Sequence, residues 1–159
     1  MKLGFVLFFI CSLSFANELE IAISLSPAGS FVAKSEQVKV DGELQVSAQG
    51  FTAKNISMPI GSLKTGIELR DDHMKKKYFE MGQFPKANLV EGQGAGGRFQ
   101  GKLEVHGVLH PISGTYQASG KVLEAKFKCK LSDFKIKEAK YMGVGVDDEV
   151  TVSVKLQGQ

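Results

Sequence analysis

Apolar and polar residues alternate with period two along much of this chain, and each run carries its charges on one side only. Leu19, Ile21, Ile23 and Leu25 oppose Glu18, Glu20 and Ser24, and Ser26-Pro27-Ala28-Gly29 then ends the run. Val38, Val40, Gly42, Leu44, Val46 and Ala48 alternate with Lys39, Asp41, Glu43, Gln45 and Ser47. Phe99, Gly101, Leu103, Val105, Gly107 and Leu109 alternate with Gln100, Lys102, Glu104 and His106. The same holds for Leu123 to Leu131 against Glu124, Lys126, Lys128 and Lys130, and for Val150 to Leu156 against Thr151, Ser153 and Lys155. Such runs are strands with one wet and one apolar face. A parallel sheet covered by helices would give continuous apolar runs instead, so the pattern requires an antiparallel, all-β protein. Phe51 to Ile60 reads as a further strand, and Gly92 to Gly97 as a hairpin turn. A sandwich and a barrel both satisfy the pattern. Long strands with an interior glycine such as Gly42, a place for a bend or bulge, favour a curved sheet that closes on itself. The 18 glycines, 11 phenylalanines and absence of tryptophan fit a turn-rich β protein better than a helical bundle.

One segment breaks the period. In Thr65 to Met81, Ile67, Met74, Tyr78 and Met81 share a helical face, and Thr65 and Glu68 have capping-box spacing. Asp71 with Lys75 and Asp72 with Lys76 have the i,i+4 spacing of favourable pairs. A single short amphipathic helix is expected, stopped by Gly82, with its apolar face on the end or mouth of the sheet.

The first residues are set apart from the fold. Met1-Lys2, the apolar run Leu3 to Leu13 and Ser14-Phe15-Ala16 have the layout of a cleavable secretory signal, giving a leader over residues 1–16 and a mature domain over 17–159. The apolar run is shorter than the about 20 residues a spanning helix needs. Cys11 lies inside it, and Ile10 stands where a lipidation signal wants a small residue. Cys129 is then the one cysteine of the mature chain, so no intrachain disulfide supports the fold. Its alternation with Phe127 and Leu131 reads as a buried small hydrophobe. With 20 basic and 17 acidic residues, interleaved, the formal charge of +3 is too weak for a nucleic-acid scaffold.

Three stretches carry a resemblance. Leu63 to Met74 (LKTGIELRDDHM) with Tyr78-Phe79 and Phe84-Pro85, then Gly101 to Ile112 (GKLEVHGVLHPI), then Gly145 to Val150 (GVDDEV) resemble, in order and spacing, the signature of the YceI-like periplasmic family over about residues 31–158. The resemblance implies an eight-stranded antiparallel, lipocalin-like barrel with one short helix, enclosing an apolar bore that takes polyisoprenoid chains. Family members usually open on a Trp-containing strand followed by an Asp-x-x-His-Ser motif. Glu18 to Phe31 has neither, and the section around Val90 to Phe99 is short. A barrel trimmed in this way holds a shorter ligand, or is filled by its own side chains and holds none.

The polar candidates read as structural. Arg70, Asp71, Asp72 and His73 form the densest cluster, with the residue types of an acid/base or metal site. The simpler reading is a solvated helix face whose Arg–carboxylate pair fixes the helix on the barrel. His106 and His110 are about 13 Å apart along a strand and cannot share a metal unless a turn begins between them. No serine sits in a nucleophile elbow, Cys129 has no recognisable His partner, and the glycine-rich stretch lacks the Gly-Lys-Ser/Thr of a phosphate loop. No enzyme, metal or cofactor is expected.

The expected function is non-enzymatic binding, transport or sequestration of an isoprenoid, a quinone-like or another long-chain lipid in the periplasm. Candidate bore-lining residues are Leu44, Val46, Phe51, Ile56, Met58, Leu103, Val105, Phe127 and Leu131. Arg70, Asp71, His73, Met74, Tyr78, Phe79 and Phe84 are assigned to a lid or mouth, and Lys75, Lys76 and Lys77 to lipid headgroups or an anionic membrane surface. A filled-core interaction or stress protein and, further off, an isoprenoid-modifying enzyme remain as alternatives. The oligomeric state, a homodimer included, is left open by the sequence.

Overall fold

The computed structural model describes residues 16–159, so the expected leader lies outside the described residues apart from Ala16. Ten strands follow in order. They are β1 (Glu18–Ser26), β2 (Ser30–Ser35), β3 (Lys39–Val46), β4 (Phe51–Pro59), β5 (Lys86–Ala95), β6 (Arg98–Val105), β7 (Val108–Ser119), β8 (Val122–Lys130), β9 (Lys140–Tyr141) and β10 (Val144–Gln157). The helix α1 (Glu68–His73) lies between β4 and β5 and runs straight into a π-helical turn, Met74–Tyr78.

The pairing is antiparallel throughout, in the order β2-β1-β10-β8-β7-β6-β5-β4-β3, with β9 a short addition on β10. Its two ends, β2 and β3, are consecutive in the chain and separated only by residues 36–38. The chain bends at residues 36–38, so that β2 pairs with β1 and β3 with β4. The path of the curled sheet thus has nine strands, one more than the eight expected of the lipocalin-like barrel, because this segment bends into two, and β9 lies outside that count. Further bonds stitch the closure. Asn17 accepts the Gln157 N–H at 2.8 Å and donates to the Val38 carbonyl at 3.3 Å, while the Gln159 N–H donates to the Leu44 carbonyl at 3.1 Å. The other edge of β2 is covered where Lys34 and Lys64 exchange backbone hydrogen bonds at 2.8 and 2.9 Å.

Charges fall on the outer face as the alternation requires. Lys34–Glu20, Lys102–Glu91 and Lys128–Glu149 bridge adjacent strands at 2.7 to 3.0 Å. They are exposed and worth little individually. The interior holds the apolar face, with Leu44, Leu63, Ile60 and Leu123 almost fully buried.

Several expectations change in detail. The run from Phe99 to Leu109 is two strands, because the chain reverses at His106 (φ 53°) and Gly107 (φ 71°), a two-residue turn with both residues left-handed. Leu109 is therefore outside and 52% exposed. Gly92 to Ala95 belong to β5, and only Gly96-Gly97 make the turn. The reason is space. A Cβ at Gly94 would come within 2.4 Å of the Phe51 ring and 2.7 Å of the Tyr116 ring, so the glycine makes room for aromatics across the barrel. The bulge at Gly42 is present as a register shift between Val40 and Glu43. On the partner strand the inward face moves from Phe51 and Ala53 to Ile56 and Met58 across Asn55 (φ 51°).

The helix is shorter than expected and has no capping box. Gly66 (φ 86°) separates Thr65 from the first turn, and the Ile67 N-cap has no side-chain bond. Thr65 is captured by charge instead. Asp71 accepts its N–H at 2.8 Å and its hydroxyl at 2.5 Å, while Arg70 donates from Nε to Thr65 Oγ1 at 2.8 Å and from Nη2 to the Thr65 carbonyl at 3.0 Å. Charge-assisted bonds of this kind outweigh a neutral cap. Asp71 thereby pairs with Thr65 rather than Lys75, whereas Asp72 and Lys76 do pair, at 3.1 Å. The wider π turn brings Met74 into the core and leaves Ile67 53% exposed, so the expected four-residue apolar face divides.

Candidate functional site: an apolar cavity under the helix

The barrel interior is filled at one end and hollow at the other. In the filled half, Phe51 packs edge-on to Tyr116 with centroids 4.9 Å apart, and Phe99 edge-on to Phe127 at 6.0 Å. A void of only about 90 Å³ remains there. In the other half, beneath α1 and the π turn, lies a cavity of about 770 Å³. Leu19, Met58, Ala87, Leu103 and Phe127 border both spaces and form the waist between them.

The expected bore residues divide across this waist. Met58, Leu103, Val105, Phe127 and Leu131 line the large cavity. Phe51 and Ile56 border only the small void, and Leu44 and Val46 border neither. Leu44 is packed core, and Val46 lies against Gly158 at the closing seam. Among the expected lid residues, Arg70, His73, Met74, Tyr78 and Phe79 line the cavity. Asp71 is bound to Thr65, and Phe84 packs at a tilt against the His106 ring, with centroids 4.5 Å apart. Lys75, Lys76 and Lys77 do not line it; Lys76 pairs with Asp72 and Lys77 lies 5.5 Å from the Tyr78 ring centre.

Much of the lining was not singled out from sequence, Phe31, Ile60, Leu63, Ala87 and Phe134 among it, and two stretches stand out. One is the inward face of β1 and β10, where Ile21, Ile23, Val150 and Val152 face the cavity. Their alternation was legible, but nothing in it distinguishes packed core from open bore. The other is the crossing from Ile136 to Val144, which brings Lys137, Lys140 and Met142 to the mouth and has no period to read.

The mouth is held by polar contacts rather than by the helix alone. The Arg70 guanidinium sits 4.1 Å above the Phe31 ring while bound to Thr65, which ties α1 to β2. Below the π turn, His106 faces the Glu80 carboxylate at 2.5 Å through Nε2 and the Phe134 carbonyl at 3.1 Å through Nδ1. On the far side, Ser132 donates its N–H and hydroxyl to Asp148 at 2.8 and 2.6 Å. These bonds, the hydroxyl's first, hold that carboxyl below its usual range. A turn does begin between His106 and His110, but the two are occupied separately, His106 by Glu80 and His110 by Asp133 at 3.7 Å.

Among the described residues no serine, threonine or carboxylate lines the cavity. The one thiol among the described residues, Cys129, is pushed up to about 11, first by burial and then by Asp133, Asp148 and Glu149. It stays protonated at neutral pH and is a poor nucleophile there. The charged side chains on the lining, Arg70, Lys137 and Lys140, are all basic. Chemically the site offers apolar enclosure with cations at its rim.

The YceI-like domain model matches residues 13–158. The chain belongs to the YceI-like family. Among curated proteins none matches it in sequence. Solved structures share the fold at low identity. Burkholderia cenocepacia BcnA aligns over 90% of this chain and 96% of its own, with a TM-score of 0.67 and 14% identity. A polyisoprenoid binding domain from Saccharophagus degradans, implicated in plant cell wall breakdown, aligns over 91% and 95%, with 0.62 and 15%. The Campylobacter jejuni YceI protein aligns over 77% and 83%, with 0.55 and 14%. At these identities the likeness is one of fold, and it bears out the lipocalin-like barrel that the sequence motifs imply.

Proposed function

We propose that this YceI-like protein binds an isoprenoid, a quinone-like molecule or another long-chain lipid in its barrel, and carries or sequesters it without chemical change. The observation that carries the reading is the 770 Å³ cavity with its almost wholly apolar lining, opening beneath α1. The family and the polyisoprenoid binding neighbour support the same ligand class. In this reading residues 1–16 direct export and the mature chain works in the periplasm.

The energetics suit a carrier. Each buried methylene contributes about 0.8 kcal/mol relative to water, so a prenyl tail does not leave a membrane for solvent. A bore lined with Leu, Ile, Val and Phe is about as apolar as lipid, so transfer between the two is nearly balanced. Small terms at the mouth then set direction and selectivity. Length is limited by the aromatic plug. An apolar cavity of about 150 Å³ admits a six-carbon ring. On that scale the open half takes a chain of some 25 to 30 carbons at most, and a longer tail must protrude or displace Phe127.

Ala87→Phe tests the assignment because Ala87 is half-buried at the waist and borders the open space. The added ring should fill the inner cavity, cutting uptake of a fluorescent prenol from micelles by about tenfold or more while leaving the urea midpoint within about 1 kcal/mol of wild type. Unchanged uptake by a folded variant would place the ligand elsewhere.

A further inference from the structure

Among the described residues six large apolar side chains are exposed, and four of them ring the mouth of the cavity. Ile67 (53% exposed) and Leu69 (68%) come from the entry to α1, and Met142 (85%) and Val144 (39%) from the crossing before β10. Two separate segments thus present apolar tips around one opening. A single exposed leucine means nothing, but a cluster around a functional opening marks a contact surface. Of the three cations that line this opening, Arg70 is held by Thr65 and the Phe31 ring, Lys140 pairs with Glu138 at 3.0 Å, and Lys137 has no partner among the described residues. No carboxylate is among the lining residues themselves; the neighbouring acids are Glu138, paired with Lys140, and Glu68, exposed between Ile67 and Leu69.

From this combination we infer that the mouth docks on an anionic lipid bilayer, with Ile67, Leu69, Met142 and Val144 entering the headgroup boundary and Lys137 and Lys140 meeting lipid phosphates. The complementary charge selects a negatively charged surface, and the apolar tips gain from partial burial in the interface. Docking in this pose joins the apolar cavity to the acyl region, so a tail passes between them without crossing water. The inference rests on the proposed lipid binding for its purpose, but the contact itself needs no lipid in the cavity. The cations that line the opening are Arg70, Lys137 and Lys140; Lys75, Lys76 and Lys77 do not line it.

The chain contains no tryptophan, so a single introduced one reports its own surroundings. Met142→Trp puts the probe on the rim, and Gln117→Trp puts a control on the exposed face of β7 near its far end. The probes are vesicles of phosphatidylcholine alone and of phosphatidylcholine mixed with phosphatidylglycerol, both free of isoprenoid. The Met142→Trp emission should shift to the blue on the mixed vesicles at low salt and return at high salt, while Gln117→Trp stays unshifted. Adding Lys137→Gln and Lys140→Gln should weaken vesicle partition by about tenfold or more, the effect of removing two near-surface cations. No shift, an equal shift for both probes, or an equal shift on neutral vesicles would overturn the inference. So would a shift without vesicles that grows with protein concentration, which would mean that a second copy covers the rim. Because these vesicles carry no isoprenoid, failure here leaves lipid uptake standing, and failure of uptake leaves docking to be read from the emission.

Discussion

Gly114→Ala is expected to cost about 3 kcal/mol, the upper end of the usual cost of overpacking and a large part of the stability of a domain of this size. Gly114 lies in β7, opposite Phe127 of β8 and Phe99 of β6. A Cβ there would stand 2.1 Å from the Lys126 carbonyl oxygen, 2.8 Å from the Phe127 Cβ and 2.9 Å from the Phe99 ring. The first of these is backbone held in the sheet, so the strain cannot be relieved by turning a side chain. Gly82→Ala is the matched control, since a Cβ at Gly82 meets nothing within 4 Å. Its urea midpoint should stay close to wild type while that of Gly114→Ala falls steeply. Equal midpoints would mean that β7 and β8 do not approach as described.

Phe127→Ala is expected to destabilise by about 3 to 5 kcal/mol, the range for removing a buried aromatic. The side chain is 9% exposed, packs edge-on to Phe99 and separates the filled half of the barrel from the open half. Its loss removes the transfer contribution of the ring and joins the small void to the large cavity. Thermal or urea unfolding reads the first effect. The second should appear as retention of longer prenols by whatever fraction remains folded. A loss under about 1 kcal/mol would show that the aromatic plug is not packed.

The fold was legible because alternation is a direct record of which face is wet. That record served for β1, β3, β8 and β10, and it failed at His106-Gly107. Neither residue of that pair disturbs the apolar count, and the turn is visible only through two left-handed backbones. The glycines misled in a different way. Gly92 and Gly94 resemble loop residues in composition but lie in β5, with Gly94 serving rings contributed by β4 and β7. The helix signal was sound in place and wrong in detail, because Asp71 and Arg70 compete for Thr65 more strongly than a neutral cap does.

The site was legible only in part. Inward residues can be named from period two, yet whether an inward residue packs or lines a void depends on how many rings fill each level. Leu44 and Leu103 look alike in sequence. One is packed core and the other faces the cavity, because the four-ring plug lies toward one end of the barrel only. The rim of Lys137, Lys140 and Met142 had no signal, since it is assembled from an aperiodic crossing brought to α1 by the closure of the sheet.

The central claim, that the open half of the barrel is a lipid site, is tested most directly by native mass spectrometry of the protein purified without detergent from the cells that make it, followed by extraction and identification of any bound lipid. The account predicts a one-to-one adduct whose mass is that of a long-chain isoprenoid or similar lipid, absent when Ala87→Phe is isolated in the same way. A wild-type protein that carries no adduct, and that gains none after incubation with prenol micelles, would contradict it.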